Sequence, residues 1–145
     1  MVRIGATRVK TRVLFLCTGN SARSQMAEAL LPLIGGPHFE CASAGTDPVG
    51  LNPAAVEAMR ELGVDISSHR SKHVGEFLGE QFDYVITVCD RAKETCPMFP
   101  ATRSLLHWSF EDPAAAPDEQ RAEKFRRVRD RIADRLSRFI LEPNF

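Results

Sequence analysis

Several things are missing from this chain of 145 residues, and each absence removes a class of function. There is no charge excess: nineteen basic and nineteen acidic residues cancel, so no whole-molecule field favours nucleic acid or a membrane surface. No apolar run approaches the roughly 20 residues needed to span a bilayer, and no signal-peptide h-region follows the start. The expected location is the cytoplasm, with no membrane or nucleic-acid partner; no apolar patch is evident either, so a monomer is expected. No internal repeat, linker or low-complexity tract divides the sequence, and its length suits a single buried core. One domain over residues 12–145 is expected, behind a loose basic leader at 1–11. Cysteine is scarce: the four are Cys17, Cys41, Cys89 and Cys96. In a cytoplasmic chain these are reactive or buried rather than a permanent disulfide framework. Zinc does not fit them, because the close Cys pairing of zinc sites is missing and His73 and His107 form no ligand pattern.

What is present alternates. Val13–Leu16 is a continuous apolar run, as a central parallel strand is. Phe39–Ala44, Tyr84–Val88 and Ser104–His107 read as three further strands. Ser24 to Ile34 reads as a helix with Met26, Leu30, Leu33 and Ile34 on one face, and Pro32 predicts a bend or an early end there. Asn52-Pro53 opens a second helix, with an N-cap side chain and proline in the first turn. Val56, Met59 and Leu62 form its apolar stripe, and Gly63 its stop. Residues 67–80 suggest another short helix. From Asp118 a long amphipathic helix carries Phe125, Val128, Ile132, Leu136 and Phe139 at helical spacing, and the arginines between Arg121 and Arg138 read as its solvated face. Strands alternating with helices give an α/β fold, a three-layer sandwich around a four-stranded parallel sheet.

The first strand runs into the first helix through Cys17-Thr18-Gly19-Asn20-Ser21-Ala22-Arg23. Backbone N–H groups of a loop that opens a helix converge on one spot, and the helix dipole makes that spot positive. Thr18 to Arg23 can therefore cradle a tetrahedral oxyanion, with Arg23 clamping two of its oxygens. The same field is expected to lower the pKa of Cys17 below the free-thiol value of about 8.5 and leave it a thiolate. Ser24 adds a hydroxyl that can donate to that thiolate. Gly19 permits a tight backbone path, and Asn20 tolerates a left-handed conformation. A Cys-x5-Arg spacing alone is a weak signal; its place at a strand-to-helix switch strengthens it.

A thiolate attacking such an anion needs a proton for the departing oxygen. Asp112-Pro113 supplies a carboxyl in the loop after the fourth strand, past the carboxyl edge of the sheet where ligands bind, although Asp-Pro is also a common turn former. At the same edge, Cys89 and Cys96 follow the third strand, seven positions apart. Along a helix that separation is about 10.5 Å, whereas a disulfide needs Cα atoms within about 7 Å. The two cannot bond while their segment is a regular helix, so bonding requires it to unwind. Taken alone, two buried structural cysteines fit this pair as well.

Together, CTGNSARSQMAEA, SAGT, NPAAVEAM, DISSHRSK, VITVCDRAKETCP and HWSFEDP resemble the thioredoxin-coupled arsenate reductases, which share the low-molecular-weight tyrosine phosphatase fold. The resemblance implies a relay. The Cys17 thiolate attacks arsenate held by the loop amides and Arg23 while Asp112 protonates the leaving oxygen. Cys89 then attacks the adduct's sulfur, two electrons pass to arsenic, and arsenite leaves behind a Cys17–Cys89 disulfide. Cys96 moves the bond to Cys89–Cys96, which thioredoxin reduces. Phosphate or sulfate is expected to fit the same loop, and no bound cofactor is implied.

Three departures from the family pattern stand out. Ala22 replaces a second loop cysteine that is outside the relay. Asn20, Glu28 and Ser43 match positions that bind potassium in some relatives, but Lys72 replaces an acidic one, so its ammonium is expected in the cation's place, paired with Glu28. Cys41 has no relay role and is expected to face the core from a strand. Ala114-Ala115 stands where phosphotyrosine-directed relatives often carry aromatics, and Trp108 is expected to pack inside rather than wall the site. Two other readings remain: a small phosphatase using Cys17, Arg23 and Asp112 alone, with weak phosphatase activity possible beside reduction, and a redox-sensing or oxyanion-binding regulator.

Overall fold

A computed structural model describes residues 10–89 and 103–143. Four parallel strands form one sheet in the order β2-β1-β3-β4: β1 (Thr11–Cys17), β2 (Phe39–Gly45), β3 (Tyr84–Thr87) and β4 (Ser104–His107). This is the expected α/β sheet, with the most apolar run, β1, at its centre. Strand alternation sorts that run between two cores. Val13, Phe15 and Cys17 face one side, where α1 (Arg23–Gly35), α2 (Pro53–Arg60) and α3 (Asp118–Leu141) pack, while Leu14 and Leu16 face the other, with Val74, Phe82 and Val85. Both faces of β1 are thereby dry, which is why it reads as a continuous apolar run.

α3 follows its sequence pattern. Phe125, Val128, Ile132, Leu136 and Phe139 are all buried, each worth about 1.5–3 kcal/mol of apolar burial. One of the arginines expected on the solvated face is not there. Arg129 is buried and donates to Ala58 O at 2.8 Å and to Glu61 Oε1 at 2.9 Å, tying α3 to the end of α2.

Other expectations are corrected. α1 runs through Pro32 to Gly35, so the early end does not occur, although proline at 32 leaves Glu28 O without its backbone donor four residues on. Leu33 and Ile34 are exposed, at 55% and 36%; the buried face is Met26, Ala27, Leu30 and Leu31. In α2 the buried stripe is Ala55, Ala58 and Met59, with Val56 half-buried and Leu62 exposed beyond the helix end. Residues 67–80 form no α-helix: a one-turn 3-10 helix spans Val74–Phe77, capped by His73 Nδ1 accepting from Gly75 N. β1 begins at Thr11, inside the expected leader, whose residues 1–9 lie outside the described part, as does Cys96. Among the described residues no helix is long and apolar enough to cross a membrane.

Candidate functional site

Cys17 is the last residue of β1 and α1 starts six residues later, so the intervening loop must turn sharply at the carboxyl edge of the sheet. It does so with Asn20 in the left-handed region, at φ 48°. The loop's carbonyls are all turned outward. Thr46 N donates to Cys17 O (3.3 Å), Asp47 N to Thr18 O (2.9 Å), Val49 N to Gly19 O (3.1 Å), Asn52 N to Ser21 O (2.9 Å) and Met26 N to Ala22 O (2.9 Å). Segment 46–52 thus runs along the back of the loop. This approach depends on Gly45, where a Cβ would lie 2.5 Å from Thr18 O.

With the carbonyls occupied, the N–H groups of Gly19 to Arg23 take no backbone acceptor among the described residues. α1 also lacks a side-chain N-cap and any acidic residue in its first turn. Uncapped N–H groups at a helix start are the donors that an anion satisfies.

Asn20 is the pin of the loop. Fully buried, its Nδ2 donates to Ser24 Oγ and Ser43 Oγ, both at 2.9 Å, while its Oδ1 accepts from Lys72 N (2.9 Å) and Gln25 Nε2 (3.1 Å). Ser71 Oγ donates to Asn20 O at 2.7 Å. Ser24 Oγ therefore accepts from Asn20 and keeps its own proton as a donor. Gln25 and Ser71 are absent from the sequence reading. Polar residues beside Met26 on the inward face of α1 were the available signal for Gln25; nothing local marks Ser71.

Around the loop lies an open cleft of about 590 Å³, lined by Cys17, Thr18, Gly19, Ser21, Ala22, Arg23, Cys89 and Asp112, with Val49, Asn52 and Ala114 at its margin. Arg23 Nη1 donates to Phe110 O at 3.0 Å, which leaves the Nε–Nη2 edge of its fork for an anion. Arg23 Nη2 is 3.9 Å from Asp112 Oδ2. Asp112 Oδ1 accepts from Ala114 N at 3.0 Å, and the side chain is half exposed, with Oδ2 on the Arg23 side. Trp108 is buried beside Phe15 and Phe139, a packing role as expected.

Cys17 and Cys89 are both buried and line the same cleft. The neighbouring Cys89 side chain, then burial, pushes the Cys17 thiol upward, against the opposite pulls of Arg23 and the Thr18 N–H. This corrects the expected lowering, because the helix-end field and Arg23 are outweighed by a second buried sulfur and by burial. Thr18 Oγ1 shares a hydrogen bond with Cys89 Sγ at 3.4 Å. Cys41 stands apart on β2, half-buried against the core, its thiol pushed up to about 12 by burial and by Glu28 and Glu40.

Behind the loop, Ser43 Oγ donates to Glu28 Oε1 at 2.5 Å and Lys72 Nζ lies 3.6 Å from the same oxygen. No cluster of three or more His, Cys, Asp or Glu suited to a metal occurs among the described residues.

The family model of the low molecular weight phosphotyrosine protein phosphatases matches residues 12–143. The chain belongs to that family. Within the low molecular weight phosphatases it groups with arsenate reductases. It is 44% identical to an arsenate reductase of Halalkalibacterium halodurans over 132 residues, 90% of this chain and 95% of that protein. A solved arsenate reductase in the phosphate binding state superposes with a TM-score of 0.79 at 32% identity, over 91% of this chain and 98% of that one. The thioredoxin-dependent arsenate reductase of Corynebacterium glutamicum superposes with a TM-score of 0.70 at 33% identity, over 93% of this chain and 64% of that longer one.

Proposed function

We propose that the protein reduces arsenate to arsenite through Cys17, Cys89 and Cys96, with thioredoxin as electron donor. The observation that carries this reading is that Cys17 and Cys89, both buried, line the same oxyanion cleft. A phosphatase needs one thiol there; a second one lining the same cleft suits a reaction in which electrons move.

The steps balance as follows. Loop amides of Thr18 to Arg23 and the Arg23 fork hold arsenate, and Cys17 attacks arsenic as a thiolate. Asp112 gives a proton to the departing oxygen, which leaves as water. Ser24 donates to the Cys17 sulfur whenever it carries charge. Cys89 then attacks the Cys17 sulfur; the As–S bond breaks, its electron pair stays on arsenic, and As(V) becomes As(III). Arsenite leaves, and Cys17 and Cys89 are joined. Thiolate attack by Cys96 on Cys89 frees Cys17 and forms Cys89–Cys96, which the thioredoxin dithiol reduces by exchange. The Thr18 hydroxyl supports Cys89 as a thiolate by donating to its sulfur.

Anion binding supports the attack in another way. An oxyanion that takes up the loop amides draws Arg23 toward itself, and its leaving oxygen can accept a proton from the Cys17–Cys89 pair. The chain is proposed to work as a single catalytic domain over residues 12–145, as a cytoplasmic monomer. Lys72 is proposed to fill a cation's place beside Glu28. Potassium would then leave activity and melting temperature unchanged, and a large rise absent with sodium would overturn that part.

Arsenate-dependent NADPH oxidation with thioredoxin and its reductase tests the relay. Wild type turns over; Cys89→Ser and Cys96→Ser do not. Sustained turnover by Cys96→Ser with thioredoxin would overturn the assignment. The same cradle without Cys89 suits slow hydrolysis of small phosphate esters, so that activity is expected to survive in Cys89→Ser.

A further inference from the structure

Asn52 stands where the anion loop meets α2. Its backbone N–H donates to Ser21 O at 2.9 Å, and its side chain caps α2, with Oδ1 accepting from Ala54 N at 2.9 Å. Asn52 also lines the cleft beside Ser21 and Arg23. The cap fixes which way the amide faces, because only its oxygen can accept from Ala54 N–H; a flipped amide would set N–H against N–H. The Nδ2 group is the end left over, and no acceptor among the described residues takes it.

α2 has little else to offer the cleft. Its first residue, Pro53, has no N–H; Ala54 N is taken by the cap, and Ala55 N and Val56 N both donate to Asn52 O, at 3.0 and 3.3 Å. The positive end of this helix reaches the cleft through the Asn52 amide. Residue choice sharpens the point. As an N-cap, Asp or Ser serves a helix as well as Asn, and Asp gains from the helix dipole. Only Asn accepts on the helix side while presenting N–H donors on the other.

We propose that Asn52 Nδ2 is a further donor to the bound oxyanion, a binding residue beyond the loop amides and Arg23. The proposal rests on the arsenate reading of the cleft and adds to it a contact from a second helix. Through it, an oxygen on the open side of the anion gains a neutral donor that does not compete with Asp112 for a proton.

Titration of the reduced full-length protein with inorganic phosphate tests it calorimetrically, alongside melting temperature and arsenate kinetics. Asn52→Asp keeps the cap and the shape but turns an oxygen toward the anion. Its melting temperature is expected to hold or rise, while phosphate affinity falls about ten- to a hundredfold. KM for arsenate rises in step, with kcat changed less than about threefold. Asn52→Ser caps without an amide and loses about tenfold in affinity. Wild-type phosphate affinity in both variants overturns the proposal, as does a loss that merely follows a fall in melting temperature. Should Asn52→Asp fail to fold, Asn52→Ser decides alone. A wild-type protein that neither binds phosphate nor turns over arsenate would overturn the arsenate reading itself, a result separate from any outcome in the Asn52 variants.

Discussion

The anion loop and the acid loop both border the cleft, yet they are held in opposite ways. Residues 17–24 are bonded at nearly every carbonyl and centred on a fully buried Asn20. The Trp108–Pro117 stretch is anchored by buried Trp108, Pro113 and Ala116, but the residues around Asp112 are tied to α3 by exposed charge: Glu111 pairs with Arg131 at 3.1 Å and Lys124 at 3.2 Å. Arg135 lies over the Trp108 ring, 4.5 Å from its centre. Arg23 joins the two loops through Phe110 O and Asp112. The difference follows from what each loop is proposed to handle. Converging N–H groups bind only if fixed before the anion arrives, whereas a carboxyl that delivers a proton must exchange it with water.

Breaking the buried side of this comparison is expected to cost most. Asn20→Ala leaves Lys72 N, Gln25 and Ser43 without their buried partner and puts alanine, which tolerates the left-handed region less readily than asparagine, at φ 48°. A loss of about 3 kcal/mol in unfolding free energy is expected, with kcat/KM down about a thousandfold or more. Asn20→Gly keeps the backbone freedom and should recover the strain but not the bonds, which denaturant unfolding will read. The exposed side separates the two quantities. Asp112→Asn is expected to lower kcat about a hundredfold, within the usual range for a lost general acid, with melting temperature and phosphate affinity nearly unchanged.

A smaller effect comes from the thiols. Cys17, beside Cys89 and buried, and Cys41, through burial, hold their protons more tightly folded than unfolded. Unfolded thiols ionise near pH 8.5, so above about that value the unfolded chain sheds protons that the folded one keeps, and stability falls as pH rises. Scanning calorimetry should show a melting temperature that declines above about pH 8.5 and declines less in Cys41→Ala. In Cys89→Ser, the pH midpoint for alkylation of Cys17 should move downward, since the main cause of its upward push is gone. The smallest effect is assigned to Glu111→Gln. Its ion pairs are exposed, so a stability loss under about 1 kcal/mol and a two- to threefold fall in kcat are expected; a drop as large as that of Asp112→Asn would mean the acid loop is held as firmly as the anion loop.

What was legible in the sequence was local. β1, the turn at Asn20, the Asn52 cap and the α3 stripe are each written in a few neighbouring residues, and the structure has all of them. Failures came where a partner distant in sequence decides. Leu33 and Ile34 satisfy a helical period but lie on the exposed side of α1, while Gly35 at its end is the residue close to Phe39 and Ile140. Arg129 belongs by composition to a charged face, yet it turns inward because Ala58 O and Glu61 lie within reach. Proximity of Cys89 to Cys17 could be anticipated from the sheet edge they share, but its effect on the Cys17 proton could not, since a pKa depends on orientation as well as position.

The outward carbonyls of the anion loop have one more consequence. A mould fixed before its ligand arrives recognises a tetrahedral shape and a charge, and phosphate offers both as well as arsenate does. Occupancy in a cell would then follow abundance, and the commoner anion would sit in the cleft most of the time. Selection must come afterwards, at the step where only arsenic can accept an electron pair. Phosphate should therefore act as a competitive brake, so that the rate of detoxification tracks the ratio of the two anions rather than the amount of arsenate alone.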